Sequence, residues 1–502
     1  MALEIEDKFD VPRDFATPGF DGVRGCAEAV DQVPEKLVAV YFDTADLRLA
    51  ARGITLRRRR GGHDAGWHLK LPKAKGVRNE VTHPLTRSAK IVPRRLSDLV
   101  LALTRGEPLI PVAELETVRK VISLRDADGR RLLEVADDNV KGTVLATAFG
   151  EDKHVERWRE IEAELTGGDE ALLKRVGKAL RKAGATTAGT QSKLARLLGD
   201  RVPVPVLSEP QEGTAGAVVV DYLRSQLTAL LAQDPRVRQV EEDAVHQMRV
   251  ACRRLRSALQ SFSDVISETT GIQEELRWIA GVLGEARDLE VIRDRFARTL
   301  EELDADLVAG PIRARLGEDL ERREGEALAR ATEAMKGERY FALLDRLDTM
   351  VAKPPLTPLA AKKAETTLAK VADKSWRRVV KKYDLAQAIE DAAQRETAMH
   401  DVRKAAKRAR YTAESLKPLL GDQASCLAKR AKLVQETLGL YLDGVVAQGI
   451  LLEETGRARE AGEDTFTYGL LLGLERTAAE RSREAFPEVW DEIVGKVVPA
   501  AR

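Results

Sequence analysis

Leu3-Glu4-Ile5-Glu6-Asp7-Lys8-Phe9 alternates apolar and charged side chains almost without a break. Successive side chains of a β-strand point to opposite faces, so Glu4, Glu6 and Lys8 share one face while Leu3, Ile5 and Phe9 share the other. A single strand of this kind is most often one with a solvated face. The same residues also make a chemical set. Two hard carboxylates suit a divalent cation, Mg2+ or Mn2+, and the adjacent ammonium suits the phosphate that such a cation bridges. The remainder of the chain decides between the two readings.

Working outward, the pattern repeats. Tyr41-Phe42-Asp43-Thr44 and Ile54-Thr55-Leu56-Arg57-Arg58-Arg59-Arg60 fit two strands joined by a turn, with Arg57 and Arg59 facing away from Leu56. Trp67-His68-Leu69-Lys70 sets Lys70 opposite Trp67 and Leu69, and residues 76–81 put Arg78 and Glu80 on one face. Residues 116–124, 131–135 and 157–165 are further strands, the last with Glu160, Glu162 and Glu164 on one face. Strands with one charged and one apolar row can close into a barrel with the charged rows inward, acids on one wall and bases on another. Such a lumen suits metal ions and a short run of phosphates, because carboxylates take the metal and guanidiniums take phosphate oxygens in pairs. The clustering of Arg57, Arg59, Lys70 and Arg78 favours this closure over a solvated face. No Ser-His or Cys-His nucleophile pair stands out, and His63, His68, His83 and His154 are read as surface or core residues.

These residues resemble the CYTH, or triphosphate tunnel metalloenzyme, superfamily over about residues 1–200. The likeness rests on Glu4-x-Glu6-x-Lys8, Tyr41-Phe42-Asp43-Thr44, Leu56-Arg57-Arg58-Arg59, the strand Trp158 to Leu165 and Gln191-Ser192-Lys193-Leu194. It implies an eight-stranded antiparallel tunnel that hydrolyses or rearranges triphosphates with Mg2+ or Mn2+. By position in the motif, Glu4, Glu6, Glu162 and Glu164 would hold metal, with Glu4, Glu6 and Lys8 catalytic. Lys8, Arg57, Arg59, Lys70, Arg78, Arg119 and Lys193 would hold phosphates. Where many relatives carry a basic residue just before the sixth-strand arginine, this chain has Glu116.

The totals agree with a protein of more than one domain. At 502 residues the chain is too long for one ordinary core, and 43% apolar with 32% charged residues suits a helix-rich globular protein. The net charge is only +1, so affinity for a polyanion must come from local concentration of Lys and Arg. The three cysteines, Cys26, Cys252 and Cys426, are far apart without metal-ligand spacing, which predicts a reducing compartment. No basic-then-apolar leader and no long apolar run is present, so the expected place is the cytoplasm, with polyphosphate granules as one site of association.

A Pro-rich connector over residues 201–214 separates domain 1–200 from an all-helical domain, 215–502. That half contains a repeat, with copies at about 215–350 and 360–502. His246-Gln-Met-Arg249-Val-Ala-Cys-Arg253-Arg254-Leu-Arg256 matches His400-Asp-Val-Arg403-Lys-Ala-Ala-Lys407-Arg408-Ala-Arg410, and Leu283-Gly284…Asp288 matches Leu438-Gly439…Asp443. On a helix, His246, Arg249, Arg253 and Arg256 form one basic line, and His400, Arg403, Lys407 and Arg410 a second, each roughly 15 Å long. Val245, Met248, Cys252, Leu255, Leu259 and Phe262 occupy the opposite, core-facing side. No acid lies between Ala244 and Ser263 or between Val402 and Ala413, so neither line is neutralised from within. Two such lines related by a pseudo-twofold axis would bracket a long polyanion.

This half resembles the CHAD domain over about residues 215–502, through the two His-containing helices and the two Leu-Gly…Asp segments. The likeness implies two antiparallel helical bundles with a basic central surface that binds inorganic polyphosphate. Trp376-Arg377-Arg378 and Lys381-Lys382 would widen that surface in the second copy alone. The expected function is a metal-dependent triphosphatase acting on inorganic tripolyphosphate, with a polyphosphate-binding helical domain. Aromatic residues are 4% of the chain, few for stacking a nucleobase. The alternatives are a cyclase or thiamine triphosphatase, a non-catalytic polyphosphate scaffold, and nucleic-acid binding through the basic lines.

Overall fold

The first part of the chain forms ten strands: β1 (Ala2–Val11), β2 (Glu28–Asp31), β3 (Glu35–Asp43), β4 (Thr55–Arg60), β5 (Gly66–Ala74), β6 (Val77–His83), β7 (Ile110–Arg125), β8 (Arg131–Val144), β9 (Val155–Leu165) and β10 (Thr186–Thr187). These come from a computed structural model that describes residues 2–74, 77–145, 154–190 and 192–495, without the side chains of 2–4, 73, 74 and 495. The antiparallel order β1-β6-β5-β4-β3-β7-β8-β9 is closed by β1 pairing with β9, so eight strands make a barrel. The eight expected strands are all present. β7 and β8 run well beyond the expected segments, because polar residues that sequence patterning assigns to loops, such as Asp138, face the lumen and are neutralised there.

Register fixes the faces. Glu6 sits opposite Glu164, Lys8 opposite Glu162, and Arg57 opposite both Tyr41 and His68, so these side chains turn the same way. On the outside, Phe9 packs with Leu172, Leu173 and Val176 of α1 (Glu170–Lys182), a helix capped by Asp169 accepting from Leu172 N at 2.7 Å. Inside one mouth, α2 (Lys193–Leu198) lays Leu194, Leu197 and Leu198 against the inward-facing Tyr41, Leu115, Val140 and Trp158. Gly142 makes room for that plug. A Cβ there would stand 2.8 Å from Leu197 and 3.0 Å from Leu115.

The chain divides into two compact units, Met1–Pro205 and Val206–Arg502. The second is helical: α3 (Ala215–Arg238), α4 (Ala244–Ser261), α5 (Thr270–Glu302), α6 (Leu320–Ala334), α7 (Glu338–Ala352), α8 (Ala364–Gln387), α9 (Ala392–Glu460) and α10 (Phe466–Gly495). α9 is broken at Gly421 (φ 53°, ψ −124°), a left-handed backbone that glycine adopts without strain. Its two arms fold back so that Val402, Ala405 and Ala409 meet Ala431, Val434 and Leu438. Met248, Cys252, Leu255, Leu259 and Phe262 are buried as the spacing predicts, while Val245 is half-exposed. The two repeats pack on each other through a shared core. Ile292, Phe296 and Leu300 of α5 share one core with Ala447, Leu451 and Ala458 of α9 and Tyr468 and Leu471 of α10. Among the described residues no helix is long and apolar enough to cross a membrane.

Asp43 shows what the Tyr-Phe-Asp-Thr motif does for the fold. Its fully buried carboxylate accepts from Thr44 N at 2.7 Å, Leu49 N at 2.9 Å and Ala50 N at 2.8 Å, satisfying the loop that leads into β4. Burial outweighs these donors and raises its pKa to about 6. A folded-state pKa above the unfolded one means that the linked stability is fully present below about pH 4 and is lost as pH rises through 6. Asp43→Ala is expected to strand the three donors and cost about 2–3 kcal/mol, read as a lower unfolding midpoint of the barrel in denaturant.

Candidate functional site

The inward rows of β1, β7, β8 and β9 meet at Glu162. Lys8 bonds it from the facing strand, Arg119 Nη2 donates to Oε2 at 2.8 Å, and Lys193 Nζ lies 2.7 Å from Oε1. Burial would raise the Glu162 pKa, but Lys193, Lys8 and Arg119 outweigh it and hold the carboxyl well below its usual range. Arg119 is tied twice to the fully buried Asp138, at 2.8 and 2.6 Å, and Lys193 also reaches Asp138 at 3.0 Å and Glu160 at 2.7 Å. Burial works against the Lys193 ammonium, yet Glu162, Asp138 and Glu160 raise its pKa above the ordinary value. Glu6 joins from β1, 3.3 Å from Lys8 and 3.5 Å from Arg78.

The opposite wall carries surplus positive charge. Burial, then Arg57 and Arg119, pull the Arg59 pKa down to about 9, although Arg59 pairs with Asp64. Arg57 Nη1 lies 3.5 Å from the Tyr41 hydroxyl, and the buried Nε atoms of Arg57 and Arg59 have no hydrogen-bond partner among the described residues. Lys70 stands 3.9 Å from Glu80. Crowded guanidiniums with unused buried donors are an anion site by composition.

Of the residues expected from sequence, Glu6, Lys8, Arg57, Arg59, Lys70, Arg78, Arg119, Glu162 and Lys193 all line this one lumen, and Glu164 enters it opposite Glu6. Glu4 pairs with Arg78 along the backbone, but its side chain lies outside the described residues, as does Gln191. Glu116 turns the other way and pairs with Lys141 at 2.5 Å, so it does not compete with Arg119. Sequence reading missed Asp138, whose neighbour Asp137 faces outward to Arg159; two adjacent acids hide the alternation. It also left His68 as a surface or core residue. His68 is buried in the tunnel wall, with Nδ1 2.9 Å from Glu80 and Nε2 2.9 Å from the Asp64 carbonyl. Its place beside Lys70 in the alternation was the available signal.

The donor chemistry suits a hard cation: Glu6, Glu162 and Glu164 are inward carboxylates on paired strands. Among the described residues, no three His, Cys, Asp or Glu side chains are grouped to hold one ion, because Lys8, Arg119 and Lys193 now occupy Glu162.

On the helical unit, the upper parts of the two basic lines converge. Burial, then the charges of Arg253, Arg403 and Arg249, lower the Lys407 pKa to about 8. Burial followed by cationic neighbours also lowers both His246 and His400. The lower ends are diverted. Arg410 donates to Glu414 at 3.0 Å, Arg254 joins the same carboxylate at 3.2 Å, and burial with Arg277 lowers Arg256. Neither line has an acid of its own, but acids elsewhere reach them: Asp288 of α5 bonds Arg249 at 2.7 Å, and Asp443 of the second arm of α9 lies 3.5 Å from Arg403. Arg377 and Lys382 are likewise paired, to Asp373 and Asp401, while Arg378 adds its charge beside Arg408.

The CYTH domain profile matches residues 2–198 and the CHAD domain profile residues 221–452. An uncharacterized protein of Mycobacterium tuberculosis (strain CDC 1551 / Oshkosh) is 41% identical over 498 residues, 96% of this chain and 94% of its own. Among solved structures, PptA from Streptomyces chartreusis is 23% identical with a TM-score of 0.47, covering 55% of this chain and 99% of that one. The CHAD domain from the plant Ricinus communis is 24% identical with a TM-score of 0.47, covering 59% and 97%.

Lys193→Met would leave Asp138, Glu160 and Glu162 crowded without their shared cation. A loss of about 3–5 kcal/mol at pH 7 is expected. Asp138 and Glu162 are held below their ordinary values by Lys193 and other cations after burial is overcome, so their stability is present above about pH 4 and lost as pH falls. The variant should therefore flatten the acid limb of a stability profile measured from pH 2 to 7.

Proposed function

The chain belongs to the CYTH family over residues 2–198 and to the CHAD family over residues 221–452, and on that premise we propose a metal-dependent triphosphatase whose helical domain binds inorganic polyphosphate. The observation that carries this reading is the charge division inside one closed barrel: Glu6, Glu162 and Glu164 with their partners Lys8, Arg119 and Lys193 on one side, and Arg57 and Arg59 with unused buried donors on the other. Glu6, Glu162 and Glu164, with Glu4, would hold Mg2+ or Mn2+, which supplies Lewis-acid stabilisation of phosphoryl oxygens when bound.

The chain's own residues bind and orient. Arg57, Arg59, Lys70 and Arg78 would grip the phosphate run, and Arg119 and Lys193 would bind the oxygens that gain charge. The plug helix α2 closes one mouth and limits water. It also supports inorganic tripolyphosphate as substrate. The inward aromatics Tyr41 and Trp158 are packed by Leu194 and Leu197, which leaves no ring face there for a base.

Phosphate release from tripolyphosphate with each metal should fall about a hundredfold in both Glu6→Gln and Arg57→Ala. Unchanged turnover in both removes the tunnel as the site; formation of cyclic AMP and pyrophosphate from ATP would favour the cyclase reading, and faster phosphate release from thiamine triphosphate the thiamine reading. In the helical domain, Lys407 is charged below its pKa of about 8. Polyphosphate affinity is therefore expected to fall as pH rises through 8, and Lys407→Arg should abolish that dependence in a titration of labelled polyphosphate.

A further inference from the structure

Arg249 and Arg403 are held in the same way in the two repeats. Each guanidinium lies over a glycine of the neighbouring helical arm: a Cβ on Gly284 would stand 3.0 Å from Arg249 Nη2, and one on Gly439 would stand 3.0 Å from Arg403 Nη2. One turn further on, an aspartate meets the same guanidinium, Asp288 at 2.7 Å and Asp443 at 3.5 Å. Neither glycine has a left-handed backbone. Glycine inside a helix costs stability relative to alanine, so what these positions use is the missing side chain. The aspartates are 65% and 52% exposed. An ion pair that exposed contributes little to folding.

We propose that Gly284 and Gly439 are positioning residues that seat Arg249 and Arg403 for a polyanion, and that Asp288 and Asp443 hold the guanidinium edges which its phosphate oxygens take over. This deepens the polyphosphate reading of the helical domain and rests on it. A carboxylate and a phosphate offer the guanidinium the same paired oxygens, so one replaces the other without moving the arginine. The tethered carboxylate has a high effective concentration, which a short anion engaging one arginine cannot match. A long chain engaging both gains the same advantage for itself. α4 packs beside the first arm of α9, Thr412 bonding Ser261 at 2.7 Å and Arg254 bonding Glu414 at 3.2 Å, so one chain can span both arginines. The aspartates thereby select long polyphosphate over short.

The test uses the full chain carrying Arg57→Ala, which silences the tunnel, and follows fluorescence anisotropy of labelled long-chain polyphosphate and its displacement by tripolyphosphate. Gly284→Ala with Gly439→Ala should weaken long-chain binding about tenfold without lowering the melting temperature, since the arginines must then be ordered on binding. Asp288→Asn with Asp443→Asn should make tripolyphosphate about tenfold more effective as a competitor while changing long-chain affinity less. The proposal is overturned if the alanine pair binds as wild type, or if the asparagine pair leaves the preference for long chains intact. Unaltered long-chain binding in Arg249→Ala with Arg403→Ala would instead overturn the polyphosphate reading itself.

Discussion

Charge neutralisation inside a closed barrel is the constraint on which the rest of the first unit depends. Once β1 pairs with β9, the charged rows of eight strands have no bulk water to face, and each ion must find a counter-ion within the lumen. Glu162 shares three cations, Lys193 shares three carboxylates, and Asp138 is wholly buried between Arg119 and Lys193.

The two walls are not equally satisfied. The acid wall is closely paired, with Lys8, Arg119 and Lys193 set among Glu6, Asp138, Glu160 and Glu162, whereas the buried Nε atoms of Arg57 and Arg59 have no partner among the described residues and the two guanidiniums repel each other. The imbalance points to an anion with several oxygens in line. The helical unit uses the same physics on a broader scale. Half-buried cations from both repeats crowd Lys407, and the nearby acids reach them from another helix or from the other arm of α9.

The sequence carried much of this because period-two alternation survives wherever one face is apolar and the other charged. Leu3 to Phe9, Leu56 to Arg60 and Ile161 to Leu165 each name their inward row directly. The reading failed where that contrast was lost. Ala136-Asp137-Asp138-Asn139 is polar on both faces, so the strand end and its buried aspartate went unseen. His68 sat in plain alternation with Lys70, but a histidine carries no fixed charge to mark its side.

The chain by itself determined the alternating charged rows of the first unit and the doubled His-Arg lines of the second, since each follows from local periodicity, and the two architectures followed from the family resemblance that those residues carry. Only the tertiary structure decided which charges meet. That Lys193 returns across the barrel to Glu162, that Glu116 turns away, and that Asp288 and Asp443 face Arg249 and Arg403 depend on strand closure and helix packing. Coulomb interaction falls with distance in space, and spacing along a chain fixes that distance only within one element.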